Sequence, residues 1–465
     1  VTAVGITNGD GVFVTSAGVA PIVFSDAITV SGPFSSLADV YISSANGPIH
    51  LTGNINGVDS VTVISNSGDI TLSGNVATSG TSNVTGAAGG DITIGYSTGS
   101  VLLSGNISTT GTGAITLFGN KSVVANGALS TTGTNSGQIS INALTGSTVA
   151  INKAISAGSG ANVALFTTGT GAISVAKDAK ITAGASVTLN SAATGVINIA
   201  SGADITAGND VIDVSSGGTL SLGANITTTA GNILFNSLAI NLTGAVSLKS
   251  QGDINLNKVN GAENLTMETT GPITLASVGQ TIPLNTVTVN NSSGLNSFNF
   301  SAANVVLADT TGSIRFINTV ITNTLTTATK AYYLEFSGTT VLSGAPVFLN
   351  TGNGNFSVRL SGTTSLPNGA TITGNAVNEV YLSGTIVSGG AFNIGVSGNT
   401  GSIIIADGTQ LILNSTSAGS NFANPISLNG SQAGGKLSLL GVGALTLSGD
   451  SSSVTTSGDT IEVIN

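Results

Sequence analysis

One five-residue phrase recurs along this chain: glycine, any residue, aliphatic, small polar residue, aliphatic. It reads Gly47-Pro48-Ile49-His50-Leu51, then Gly68-Asp69-Ile70-Thr71-Leu72 and Gly90-Asp91-Ile92-Thr93-Ile94. It returns at Gly113, Gly137, Gly171, Gly195, Gly218 and Gly252, and within the continuous runs its starting glycines lie 21 to 24 residues apart. Aliphatic residues alternating with Thr, Ser or Asn are the period-2 mark of a strand with one buried face. A fixed period of this length belongs to solenoids, propellers or arrays. Propeller blades need about twice as many residues and usually aromatic signatures, and leucine-rich repeats need a fixed Leu/Asn consensus. Neither is present. A coil of this length, holding two or three short strands, fits a single-stranded parallel β-helix. Coils stacked about 4.8 Å apart would number about twenty.

Composition agrees with an all-β chain. Charged residues are 6% of the 465, against about 25% in ordinary soluble domains. Thr, Ser, Asn and 65 glycines surround Val, Ile, Leu and Ala, while long straight helix formers are scarce. A mean hydropathy of +0.42 argues against disorder. Net charge is −10 and no basic stripe exists, so nucleic acid is not an expected partner. Cysteine is absent, and no apolar run approaches the ~20 residues that span a bilayer. The chain starts at Val1, which suggests a removed leader or an excised segment.

The phrases "GDITLSGNVATSG" at 68–80 and "GSVLLSGNISTTG" at 99–111 resemble the repetitive shafts of filamentous-haemagglutinin-type and autotransporter-like bacterial surface proteins. The resemblance covers roughly residues 47–460. It implies a right-handed β-helix, secretion, and adhesion or scaffolding at a cell surface. No amino-terminal secretion domain or carboxy-terminal membrane barrel accompanies it.

The organisation expected is an amino-terminal β start or cap over 1–46 and a regular solenoid over 47–280. An irregular transition over 281–310 and a Phe-richer solenoid section over 311–465 follow. Eight of the fourteen Phe lie at 298 or later. In that section Ile314-Arg315-Phe316, Leu334-Glu335-Phe336, Val358-Arg359-Leu360 and Val380-Tyr381-Leu382 each place a large polar residue between two apolar ones. Their spacing predicts that Arg315, Glu335, Arg359 and Tyr381 stack on one outer face. Such a stack neutralises neighbouring charges at about 0.2–1 kcal/mol per pair. It is also a candidate glycan-contact face, with Arg for acidic sugars and Tyr381 for ring stacking.

Carbohydrate-active β-helices share this architecture, but their chemistry needs clustered carboxylates beside basic residues or histidine. The one histidine, His50, occupies an ordinary outward strand position. Asp204, Asp210 and Asp213 are the nearest approach to a calcium-binding group. Asp69 and Asp91 look equivalent, one coil apart, yet Pro48, Ala114 and Gln138 take the neighbouring phrase positions. These carboxylates, and the Asn8-Gly9-Asp10-Gly11 turn, read as solvated turn residues. Sequons such as Asn83-Val84-Thr85, Asn106-Ile107-Ser108, Asn225-Ile226-Thr227 and Asn414-Ser415-Thr416 make glycosylation compatible with the sequence. No catalytic, cofactor or metal residues are expected. Both ends read as uncapped strands, so end-to-end self-association is expected. The reading is an extracellular structural protein and not an enzyme: a surface fibre or sheath subunit, or an adhesin shaft. The alternatives are a glycan-binding module and, third, a carbohydrate-active enzyme.

Overall fold

A computed structural model describes the chain except residues 1, 4–5, 9–10, 31–38, 58, 79–89, 96–97, 134, 329–331, 351–355, 375–376, 396–401, 407, 415–418, 423–425, 429–435, 441–444, 448–453, 457–459 and 465. The described residues contain strands and turns and no helix. The chain divides into two compact units, Val1–Gln251 and Gly252–Asn465. Each is a parallel β-solenoid.

In the first unit most coils carry three short strands, two of which merge in Ile212–Leu222 and in Ile233–Leu242, and the strands pair in parallel with their counterparts one coil away. One column of inward aliphatics runs Ile22, Ile49, Ile70, Val101, Val123, Val149, Ile173, Ile197, Leu220, Ile240. All ten are buried, each stabilising the fold by about 1.5–3 kcal/mol relative to exposure. A second column runs through Val61, Ile92, Ile115, Ile139 and Val163. The glycine phrase therefore does not mark one position of the coil. It sits in the first column at Ile49 and Ile70, moves to the second at Ile92, Ile115 and Ile139, and returns at Ile173, Ile197 and Leu220. The three strands share one pattern and one period, so spacing alone cannot tell them apart.

Buried hydroxyls close the corners. Ser65 Oγ donates to the Gly47 carbonyl at 3.0 Å, Ser191 Oγ to Gly171 at 2.6 Å and Ser216 Oγ to Gly195 at 2.6 Å. Each satisfies a main-chain acceptor that burial would otherwise leave at a cost of about 1–3 kcal/mol. At another corner the Ser-Gly-Asn phrase forms a ladder. Asn54 Oδ1 accepts from the Asn75 main-chain N–H at 2.9 Å, Asn75 from Asn106 at 2.8 Å, and Asn106 from Ala128 at 2.9 Å. The preceding glycines Gly53, Gly74, Gly105 and Gly127 pack main chain on main chain. A Cβ on Gly105 would overlap the carbonyl of Gly74, and one on Gly127 the carbonyl of Gly105.

The second unit uses the same bonding with longer strands. Its inward column runs Ile254, Ile273, Leu295, Ile314, Leu334, Val358, Val380, Ile403, and the backbone register continues to Ile426. With ten and nine rungs, the two columns come close to the coil number implied by the repeat length. Strands Leu284–Leu307, Thr310–Thr326 and Tyr332–Leu342 turn corners without breaking, helped by register shifts such as that between Ser292 and Gly294. One corner needs left-handed backbone, supplied by Asn318 (φ 52°), Gly338 (φ 72°), Gly362 (φ 81°) and Gly384 (φ 80°). Asn and Gly are the residues that tolerate it. This accounts for the repeated Ser-Gly-Thr at 337–339, 361–363 and 383–385.

Both cores are mainly aliphatic, but this one buries more phenylalanine: Phe300, Phe316, Phe336, Phe348, Phe392 and Phe422, against Phe24 and Phe235 in the first. Phe316 meets Phe300 edge-on at 5.1 Å and stacks on Phe336 at 5.3 Å, with Phe348 6.2 Å beyond Phe336. Tyr332 is also buried, and burial pushes its phenol well above its usual pKa, a hydrogen bond from Thr327 offsetting part of the rise.

Candidate functional site

In the second unit, alternation fixes which side chains face out. On strand Tyr332–Leu342, Tyr332, Leu334 and Phe336 point inward, leaving Tyr333 and Glu335 outside. The parallel register then stacks the outward residues. Thr274 aligns with Asn296, Asn296 with Arg315, Arg315 with Glu335, Glu335 with Arg359, and Arg359 with Tyr381. The structure thus brings all four sequence-identified residues into one column, at successive rungs.

Their contacts are specific. Arg315 Nε lies 3.6 Å from Glu335 Oε2, with the arginine side chain 49% exposed and the glutamate 16%. The Arg359 guanidinium carbon sits 4.2 Å from the centre of the Tyr381 ring, a cation–π arrangement. Arg359 Nε is buried without a hydrogen-bond partner. Two consequences follow. The positive charge of Arg315 is opposed at close range, and one face of Tyr381 is already covered.

Sequence reasoning missed the rungs below. Pro272, Gly294, Ser313 and Tyr333 form the adjacent outward column. Gly294 has no side chain where its neighbours have one. The gap opens a surface hollow of about 350 Å³ between Pro272 and Ser313, bounded by Thr274, Asn296, Ser293 and Arg315. That volume lies at the small end of ligand sites. Asn296 was within reach of the sequence, since Leu295-Asn296-Ser297 stands 19 residues before Ile314-Arg315-Phe316 in the same frame. Gly294 was not: among 65 glycines, one whose importance is a missing side chain carries no signature. The column as a whole offers a guanidinium fork, an amide, several hydroxyls and a tyrosine. These groups bind polar ligands through hydrogen bonds.

Glu335→Lys would set three cations on consecutive rungs. It is expected to lower the melting temperature, by the equivalent of about 1 kcal/mol or less at low salt, with the loss shrinking as salt rises. An unchanged melting point at low salt would count against energetic coupling in the stack.

The remaining candidates are engaged in the fold. Asp204 Oδ1 accepts from the Asn225 N–H at 3.1 Å, Asp210 Oδ1 from the Val211 N–H at 2.8 Å, and Asp213 Oδ1 from Ser215 Oγ at 2.8 Å. Asp69 and Asp91 are not equivalent: Asp69 caps the N–H of Ser100 and Asp91 that of Ala114, on different columns. The inserted residues 79–89 separate Ile70 from its true neighbour, Val101. Among the described residues no three His, Cys, Asp or Glu side chains gather as metal ligands. His50 stands between Val23 and Thr71, half-buried on an outer face. Of the sequon asparagines, Asn106 and Asn225 accept from the next coil. Asn83-Val84-Thr85, Ser415 and Thr416 fall outside the described residues, as do Gly9 and Asp10 of the amino-terminal turn. Among the described residues no helix is long and apolar enough to cross a membrane.

Comparison with family models, with curated proteins and with solved structures finds no match to this chain.

Proposed function

We propose that the chain is an extracellular structural protein, a surface fibre or sheath subunit or the shaft of an adhesin, without catalytic activity. The observation that carries this reading is main-chain bonding repeated rung after rung in each unit, with side chains such as Asn75, Asp91 and Ser191 spent on closing corners. A parallel stack of this kind shares load, at each step between coils, over several backbone hydrogen bonds acting side by side. Its outward positions are mostly small Thr, Ser and Asn, which suits close assembly better than free diffusion. Assembly end to end uses the bonding already present inside each unit: a parallel rung offers different edges to its two neighbours, and such a heterologous contact propagates. The resemblance of the Ser-Gly-Asn phrases to bacterial surface shafts supports placement outside the cell.

Negative-stain microscopy of the native material tests this reading, with filaments or a continuous sheath expected. Dispersed particles that sediment as monomers at high concentration would remove the assembly role.

A second reading, a glycan-binding adhesin module, is favoured by one observation: the hollow at Gly294, beside the half-exposed guanidinium of Arg315.

A further inference from the structure

Resting on that second reading, we propose that the Gly294 hollow is a subsite for a neutral saccharide and not for an acidic one. A lone arginine on a weakly charged surface would suggest sugar carboxylates. The structure removes that reason. Glu335 lies 3.6 Å from Arg315 Nε, on the side away from the hollow, because it belongs to the next rung. Glu379 shares the outer face two residues before Tyr381, and Asp253 stands beside Gly271 at the opposite edge. Against these three acids the face carries Arg315 and Arg359, so it has no excess positive charge. A sugar carboxylate on Arg315 would have to approach Glu335.

A neutral sugar avoids that conflict. With Nε turned to Glu335, the two terminal nitrogens of Arg315 remain to donate to vicinal hydroxyls, an arrangement that suits the planar fork. Ser293, Ser313 and Thr274 each donate and accept. Asn296 also lines the hollow, with its Oδ1 turned into the fold, where it is buried without a hydrogen-bond partner. Pro272 adds an apolar wall on the side opposite Ser313, and Tyr333 stands one rung beyond Ser313, outside the lining of the hollow. Glu335 thereby becomes the residue that sets the ligand class, by holding Arg315 as a neutralised hydrogen-bond donor.

The test is an array of neutral and uronic-acid-containing oligosaccharides probed with the full chain and three variants, each checked by thermal melting. The wild type is expected to retain neutral glycans. Arg315→Gln is expected to lose about tenfold in retention, as for removal of a charged hydrogen-bond donor. Gly294→Ala places a methyl 3.0 Å from the Ser313 carbonyl oxygen, inside the hollow, and should lose as much. Glu335→Gln frees the charge of Arg315 and should shift retention toward uronic acids, most at low salt. Should Arg315→Gln fail to fold, the other two variants decide. Preference of the wild type for acidic glycans would overturn the neutral assignment and leave the glycan reading standing. Retention of no glycan would overturn both, and neutral retention indifferent to all three variants would move the site elsewhere.

Discussion

Gly105→Ala is expected to destabilise the first unit by about 3 kcal/mol, as a small-to-large change in a place that cannot give. Nothing about the residue type announces this. Gly105 has an ordinary backbone conformation, and the sequence around it is one Ser-Gly-Asn among several. The cost arises because its Cα rests on the carbonyl of Gly74 while Gly127 rests on Gly105. A methyl group there meets main chain, and the main chain is pinned on either side by the Asn75–Asn106–Ala128 ladder and by the Ser104 N–H bonded to Leu72 at 2.7 Å. Gly18 is the matched control. A Cβ built on it meets nothing within 4 Å, and its φ is unremarkable. Gly18→Ala should be neutral or stabilising by about 0.4–1 kcal/mol, through the unfolded chain. Urea titration would compare the two. Hydrogen exchange should localise the Gly105→Ala loss to rungs near it, since each coil contacts only its neighbours. Equal effects for the two substitutions would refute the close-packed glycine column.

Phe316→Ala should be comparably severe in the second unit, at about 3–5 kcal/mol. Phe316 is buried between Phe300 and Phe336, and these partners are held by strands bonded to one another across the coil, so the site cannot collapse to fill the void. Phe13→Ala gives the contrast. That ring is 63% exposed and touches Tyr41 at 6.3 Å, and its loss should cost under about 1 kcal/mol. If the two variants shift the unfolding midpoint alike, the phenylalanine cluster does not stabilise its unit as argued.

Much of the architecture is legible before any coordinates. Alternation in Ile49-His50-Leu51 or Ile139-Ser140-Ile141 names a strand and its buried face, and the period names the stacking. The outer column of Arg315, Glu335, Arg359 and Tyr381 follows from counting, because nearly equal coil lengths put similar phrases in register. Counting fails where coils are unequal. The phrase at Gly90 follows Gly68 at the regular interval yet lies on another strand, since the residues before it lengthen one coil. It also fails for roles that depend on what lies above. Gly18, Gly105, Gly294 and Gly362 are one letter in the sequence. In the fold they are respectively free, close-packed, the opening of a hollow and left-handed at φ 81°. Asp204, Asp210 and Asp213 read as solvated turn residues in the sequence; the structure shows Asp204 bonded to the N–H of Asn225 on the neighbouring coil, while Asp210 and Asp213 bond locally, to the Val211 N–H and the Ser215 hydroxyl.

The asparagine ladder of the first unit separates two properties usually tied together. Successive members lie 21, 31 and 22 residues apart, yet each makes the same bond to the next at nearly the same distance. Ten extra residues between Asn75 and Asn106 leave the alignment of that corner untouched. Vertical order is therefore indifferent to how much chain is spent in going round. Lineages carrying such a chain can lengthen, shorten or rewrite what one level displays while keeping every other level in place, so variety in presentation need not endanger the support beneath it.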